Sequence, residues 1–257
     1  MQDRPFRSAA AFYACRPSYP EKLLEIVARH CRLDGTGRLL DLGCGPGLLA
    51  IPLSRWFAEA IGMDPEPAML EAASVRAGKA GVPLTLVHGG SDDLGPHLAP
   101  LRMVAIGRAF SWMDRDETLR RLADIVEPRG SVAIFEDAHP DAAQNRWVRA
   151  WHAVRRKWAP STRNRARGGL WRERHPVALA RSAFSNVRTF QVRYERSISI
   201  DELVGRAYSM SQSSPEVLGS NRAAFETDLR AALKEFAPDG RLQEVLGAMA
   251  FVARRPG

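Results

Sequence analysis

The residues best placed to do chemistry are Asp41-Leu42-Gly43-Cys44-Gly45-Pro46-Gly47, followed by Asp64. Glycines at alternate positions let the chain take backbone angles closed to other residues, and let a ligand approach the main chain without meeting a Cβ atom. The loop falls where a short apolar segment turns into a helical one. Asp64 closes the next apolar segment about 20 residues on, the interval at which a carboxylate can take hydrogen bonds from a ribose. A dinucleotide fingerprint G-x-G-x-x-G starting at Gly43 needs a small residue where the chain has Leu48, and the third glycine falls at Gly47 instead. The pyrophosphate-binding arrangement is therefore not met.

These residues need strands that end in loops and helices that begin after them. Leu23, Leu24, Ile26 and Val27 form a helical stripe between Pro20 and Cys31, before Gly35 and Gly37 break it. Periodicity then predicts strand Arg38 to Leu42, helix Gly47 to Phe57, strand Ala58 to Met63, and a helix opened by Pro67 that carries Met69, Leu70 and Ala73. Strands Leu84 to His88 and Leu101 to Gly107, helix Arg115 to Val126, a Pro128/Gly130 turn and strand Ser131 to Glu136 follow. Such alternation predicts an α/β fold with a Rossmann-like, doubly wound, mostly parallel seven-stranded sheet. Beyond Asp141 come helices Asp141 to Trp158, Pro176 to Phe184 and Ile200 to Met210, a strand Val187 to Ser197 and a last strand Ala248 to Arg254. The expected organisation is covering helices over 1–36, a ligand-binding core over 37–139, and a helical cap with the last two strands over 140–257.

D-x-G-x-G-x-G is the pattern of class I S-adenosylmethionine (SAM)-dependent methyltransferases, which residues 41–47 resemble closely. LLDLGCGPGLLAIPLSRW, AIGMDPEPAMLEAA, HGGSDDL and VAIGRAFSWMDRDETLRRL resemble, in order, successive motifs of the small-molecule, type 11-like group. FYACRPSYP and YSMSQSSPEVLG are similar to its N-terminal segment and its late cap helix. The resemblance implies that Gly43 and Gly45 line the methionine portion of SAM, that Asp64 accepts from both ribose hydroxyls, and that Asp41 orients the loop and the methionine amino group. It further implies Met63 or Pro65 against the adenine, Ser91 or Asp92 near its exocyclic amine, and Tyr13 and Arg16 over the cofactor carboxylate. Cys44, Gly47, Met69, Arg108 and Ala109 complete the implied cofactor set. The chain departs from the group at Gly90, where an acidic residue is common, at Ser111, where histidine is common, and at Met103, where aspartate is common.

In such sheets ligands bind beyond the carboxyl ends of the strands, so the acceptor is expected over Arg108 to Trp112 and Glu136 to His139. Phe110 and Trp112 are the expected apolar walls, with Arg146 and Tyr208 from the cap as further substrate contacts. His139 is the candidate general base, with His152 as the cap alternative. The expected reaction moves a methyl group to an O, N or C nucleophile of a small metabolite, releasing S-adenosylhomocysteine.

Composition bounds the alternatives. Among 257 residues, 45% are hydrophobic and 26% charged, ordinary values for a globular chain. No apolar run approaches the ~20 residues that cross a bilayer, and the first 20 residues lack a signal-type apolar core, so a cytoplasmic monomer or homodimer is expected. Cys15, Cys31 and Cys44 have neither disulfide-framework nor zinc spacing, and the six histidines are scattered. No metal is expected. Cys44 fits as the small apolar residue that the loop needs. The net charge of +8 comes from 33 arginines and 4 lysines against 29 acids. Arginines between 146 and 174, interleaved with Trp147, Trp151, Trp158 and Trp171, leave open a tRNA, rRNA or DNA methyltransferase, although a solvated helix whose tryptophans pack on the core is the preferred reading. A SAM-binding protein without transfer activity is the other alternative. Residues 160–169 read as a loop.

Overall fold

The computed structural model describes residues 8–158 and 174–256. A seven-stranded sheet runs β3-β2-β1-β4-β5-β7-β6, with β1 (Arg38–Leu42), β2 (Glu59–Asp64), β3 (Thr85–His88), β4 (Leu101–Gly107), β5 (Val126–Ala138), β6 (Asn186–Ser199) and β7 (Arg241–Arg254). The pairs β3-β2, β2-β1, β1-β4 and β4-β5 are parallel. The order reverses direction between β1 and β4, which is where a doubly wound sheet opens a crevice for a ligand. The α/β, mostly parallel architecture expected from alternation is the one observed.

The helices are α1 (Glu21–Cys31), α2 (Ala50–Leu53), α3 (Pro67–Ala80), α4 (Arg115–Ile125), α5 (Trp147–Trp158), α6 (His175–Ala180), α7 (Ile200–Tyr208), α8 (Pro215–Leu218) and α9 (Arg222–Lys234). Their ends follow local chemistry. Proline opens α3 and Gly81 closes it at φ 65°, a position that costs glycine nothing. Asp114 caps α4 by accepting from Glu117 N at 3.1 Å, and Ser199 and Glu202 form a reciprocal capping box on α7.

The chain divides into two compact units. The sheet unit takes Tyr19–Glu136, Gly169–Val192 and Ala248–Gly257. Its core gathers Leu40, Ile61, Val104, Ile106, Val132 and Ile134 from the strands with Leu119 and Leu122 of α4 and Leu179 of α6, near-continuous apolar strands of the kind that sheets covered on both faces require. The helix α1 belongs to this unit. The helical unit takes Met1–Ser18, Asp137–Gly168 and Arg193–Gly247, built around Trp147, Trp151, Leu203, Phe225, Leu229 and Leu233.

Several boundaries differ from expectation. Helix 47–57 shortens to α2 and a 3-10 turn, Ser54–Trp56, because the glycine loop occupies its first turn and Asp41 accepts from the Ala50 N–H at 2.8 Å. Pro128 and Gly130 are not a turn. They lie inside β5, where pairing passes from Leu101↔Val126 to Met103↔Ser131, a bulge that accommodates a proline without an N–H. β7 starts at Arg241 and not at Ala248, and helix 141–158 is a 3-10 turn, Ala143–Asn145, followed by α5. The helix α9 is unexpected from pattern. The loop 160–169 and Trp171 lie outside the described residues.

Candidate functional site

The strand β1 ends at Leu42, and the chain then turns through Gly43, Gly45 and Gly47 at φ 71°, 52° and 77°, angles that a side chain strains. At Gly43 the space is also taken: a Cβ there would lie 2.6 Å from Ala109 Cβ. The turn is pinned to the end of β2. Met63 O accepts from Gly43 N at 2.8 Å and from Cys44 N at 3.0 Å. Asp64 Oδ2 accepts from Gly45 N at 2.8 Å, and its Oδ1 from Glu66 N at 2.9 Å. Each Asp64 oxygen therefore keeps a second acceptor site. Cys44 is buried beside the loop as a free thiol.

The electrostatics of this cradle are one-sided. Asp41, Asp64 and Glu66 are 1%, 8% and 8% exposed, and among the described residues no arginine or lysine pairs with any of them. Burial pushes Asp41 up to about 7, against the Ala50 N–H, with the Asp64 charge adding to the rise. Burial raises Asp64 too, opposed by the Glu66 and Gly45 N–H groups. Carboxylates desolvated in this way without a counter-ion favour a cationic ligand.

Around the expected adenine position, Met63 is fully buried under Gly89, where a Cβ would lie 2.6 Å from Met63 Cε, whereas Pro65 is exposed and faces Gly90. Of the two expected adenine contacts, only Pro65 is open to a ligand. Met69 is a buried residue of α3, Ser91 is half-buried and Asp92 exposed.

Past β4, Arg108 takes φ 57°, a left-handed angle uncommon for a non-glycine residue and one that concentrates at functional sites. Its guanidinium lies 4.6 Å from the Tyr19 ring centroid. Ala109 fills the space beside Gly43. Phe110, expected as a pocket wall, is 1% exposed and part of the core, while Trp112 is 42% exposed. Pattern did not single out His175, whose Nε2 lies 2.6 Å from Glu136 Oε1. A histidine opening a six-residue helix has no signature in periodicity or spacing.

The remaining expected residues lie in the helical unit. Arg16 donates from Nε to Ser209 Oγ at 2.7 Å and from Nη2 to Ser209 O at 3.0 Å, and its guanidinium lies 5.3 Å from the Tyr13 ring centroid. Arg146 is exposed. Tyr208, expected as a substrate contact, is 2% exposed, with its hydroxyl on Glu226 Oε2 at 2.7 Å; it is a packing residue. His139 is no free loop histidine. Its Nε2 lies 2.7 Å from Glu244 Oε1, and the fully buried Glu244 also takes Arg196 Nε at 2.7 Å and both ends of the Arg206 guanidinium. Two guanidiniums thus share that carboxylate with His139. Burial and the neighbouring Arg155 hold His152 down at about 4, which makes it a weak base. Trp147 and Trp151 are 2% and 1% exposed, closed to base stacking. Among the described residues no group of three His, Cys, Asp or Glu is arranged to hold a metal, and no helix is long and apolar enough to cross a membrane.

The family model described as "Methyltransferase domain" matches residues 39–130, the stretch that contains β1 to β4, the glycine loop and Asp64. Residues 39–130 are similar to a methyltransferase domain. Over 138 residues, the chain is 29% identical to a ubiquinone biosynthesis O-methyltransferase of Azorhizobium caulinodans, covering 51% of this chain and 54% of that protein. A probable S-adenosylmethionine-dependent methyltransferase of Saccharomyces cerevisiae is 28% identical over 139 residues, 52% of this chain and 46% of that protein. The chain thus spans about half the length of these relatives. The fold recurs in a SAM-dependent methyltransferase of Geobacter sulfurreducens, solved with S-adenosyl-L-homocysteine (TM-score 0.58, 20% identity, full coverage of both chains).

Proposed function

We propose that the chain binds SAM across the glycine loop and transfers its methyl group to an O, N or C nucleophile of a small metabolite. The observation that carries this reading is the trio of buried carboxylates, Asp41, Asp64 and Glu66, without an arginine or lysine partner among the described residues. SAM brings a sulfonium and an ammonium to such a site, whereas the pyrophosphate of a dinucleotide brings anions.

In this reading Asp64 uses the acceptor positions left by Gly45 and Glu66 to take the two ribose hydroxyls. Gly43 and Gly45 bring bare backbone against the methionine portion, and Asp41 faces its ammonium from beneath the loop. Pro65 flanks the adenine, with Ser91 or Asp92 at its amine. When bound, SAM supplies an electrophilic methyl group for in-line displacement. The chain's part is to hold the two partners aligned and to exclude water. Trp112 and Arg108 offer an apolar and a cationic contact beyond β4. The names of the relatives accord with a small acceptor. A cytoplasmic location and a monomer or homodimer fit this reading, and buried Trp147 and Trp151 favour it over a nucleic-acid substrate.

The test is release of S-adenosylhomocysteine when purified protein is incubated with methyl-labelled SAM and a small-molecule cell extract. Label recovered in a compound below ~1 kDa is the expected result. Label only in RNA or DNA, or none in any product, overturns the reading.

A further inference from the structure

Methylation of a hydroxyl leaves a proton to dispose of, and the sheet unit contains a group arranged to receive one. Glu136 lies near the carboxyl end of β5, and His175 opens α6 with its Nε2 at 2.6 Å from Glu136 Oε1. The imidazole is buried, at 8% exposure, and its Nδ1 is a buried atom without a hydrogen-bond partner among the described residues. A histidine kept only to tie α6 to β5 would have both nitrogens satisfied, because an unpaired buried polar atom is costly. With the Glu136 carboxylate at Nε2, Nδ1 is the nitrogen left without a hydrogen-bond partner among the described residues.

The surroundings suit a reacting centre. The ring meets Phe110 edge-on at 5.4 Å and Phe251 at 6.3 Å. Phe110 follows Ala109, whose Cβ occupies the space that a side chain at Gly43 would need. Gly43, Ala109, Phe110, His175 and Glu136 thus follow one another by contact or sequence at the carboxyl-end side of β1, β4 and β5, starting at the loop assigned to the cofactor. Charges near the ring among the described residues include the Arg115 guanidinium of α4, 5.6 Å from the Phe110 centroid, and the Arg181–Asp116 pair joining the end of α6 to α4 at 2.7 Å. Neither is placed on Nδ1.

We infer that His175, oriented by Glu136, is the base that takes the proton from a hydroxyl acceptor, which narrows the acceptor to an O nucleophile. The inference rests on the methyl-transfer reading above. As the hydroxyl oxygen bonds to the methyl carbon, its proton passes to His175 Nδ1 and the electron pair of the broken carbon–sulfur bond goes to sulfur. The imidazolium that results is held by the Glu136 carboxylate.

Two readouts test this. The first is the ¹⁵N NMR tautomer of His175 in protein saturated with S-adenosylhomocysteine, expected as Nε2–H and expected to change in Glu136→Gln. An Nδ1–H tautomer, or one insensitive to Glu136→Gln, overturns the proposal. The second is label transfer into the small-molecule extract by wild type and by His175→Gln, which keeps a donor for Glu136 and lacks the base. A fall of at least ~10-fold, shrinking at high pH as the hydroxyl ionises by itself, is expected with S-adenosylhomocysteine affinity within about twofold of wild type. A loss below about threefold in an active wild-type background removes His175 and leaves methyl transfer standing. A wild type that transfers no label overturns methyl transfer itself, and the role of His175 with it.

Discussion

The Gly45 N–H lies 2.8 Å from Asp64 Oδ2, so the carboxylate that closes β2 also holds the glycine loop after β1. Asp41 holds the other side of that loop through Ala50 N at 2.8 Å. The two acids fix the cradle before any ligand arrives, which lowers the ordering cost of binding.

This arrangement predicts proton release. Burial lifts Asp41 from 3.8 to about 7, so near pH 7 it is roughly half protonated in the free protein, and a cation bound beside it favours the carboxylate. Calorimetry at pH 7 in buffers of different ionisation enthalpy should therefore find about half a proton released on SAM binding, and none from Asp41→Asn. Uptake of a proton contradicts the assignment. Stability follows the same linkage. A folded value above the unfolded one means that the folded state binds the proton more tightly. The Asp41 share of stability is then greatest below about pH 4 and falls as pH rises through about 7. Melting curves of wild type against Asp41→Asn between pH 4 and 7 isolate it.

Much of the cradle was readable because its chemistry is local. Glycines at 43, 45 and 47 and an acid at 64 report backbone angles and interval, and β1 to β4 are short apolar runs between clear breaks. What pattern missed depends on partners distant in sequence. The first half of β7 looks polar because Glu244 sits in it, and Glu244 is tolerable only because Arg196, Arg206 and His139 converge on it. The helix α9 buries a thin stripe, Phe225, Leu229 and Leu233, among charged residues. His175 acquires meaning only from Glu136, 39 positions earlier. Phe110 and Tyr208 are aromatic residues in plausible motifs that the fold uses for packing.

The Glu244 network predicts a stability loss. Burial by itself would raise this carboxyl, but hydrogen bonds from Arg206, His139 and Arg196 bring it well below the usual carboxylate range. A depressed folded value contributes stability above pH ~4.5 and loses it as pH falls below that. Glu244→Gln strands the buried Arg206 charge, and breaking a buried pair costs ~3–5 kcal/mol. Denaturant unfolding at pH 7 measures it. A loss under ~1 kcal/mol would mean that solvent reaches the network and satisfies Arg206.

Two glycine variants separate strain from space. Gly35 and Gly43 both have positive φ, 88° and 71°, yet a Cβ at Gly35 meets nothing within 4 Å while one at Gly43 meets Ala109 at 2.6 Å. Gly35→Ala should cost ~1 kcal/mol from the backbone alone, and Gly43→Ala a further ~1–3 kcal/mol from overpacking. Only the second should weaken SAM binding. Equal losses in stability would show that Ala109 yields freely.

The most direct test of the account is the calorimetric affinity of Asp64→Ala for S-adenosylhomocysteine, with folding checked by circular dichroism. Loss of a charged acceptor for two ribose hydroxyls costs ~1.5–3 kcal/mol, so the predicted result is a ~10- to 100-fold weaker Kd in a folded protein. A folded Asp64→Ala that binds as tightly as wild type would contradict the placement of the cofactor on this loop.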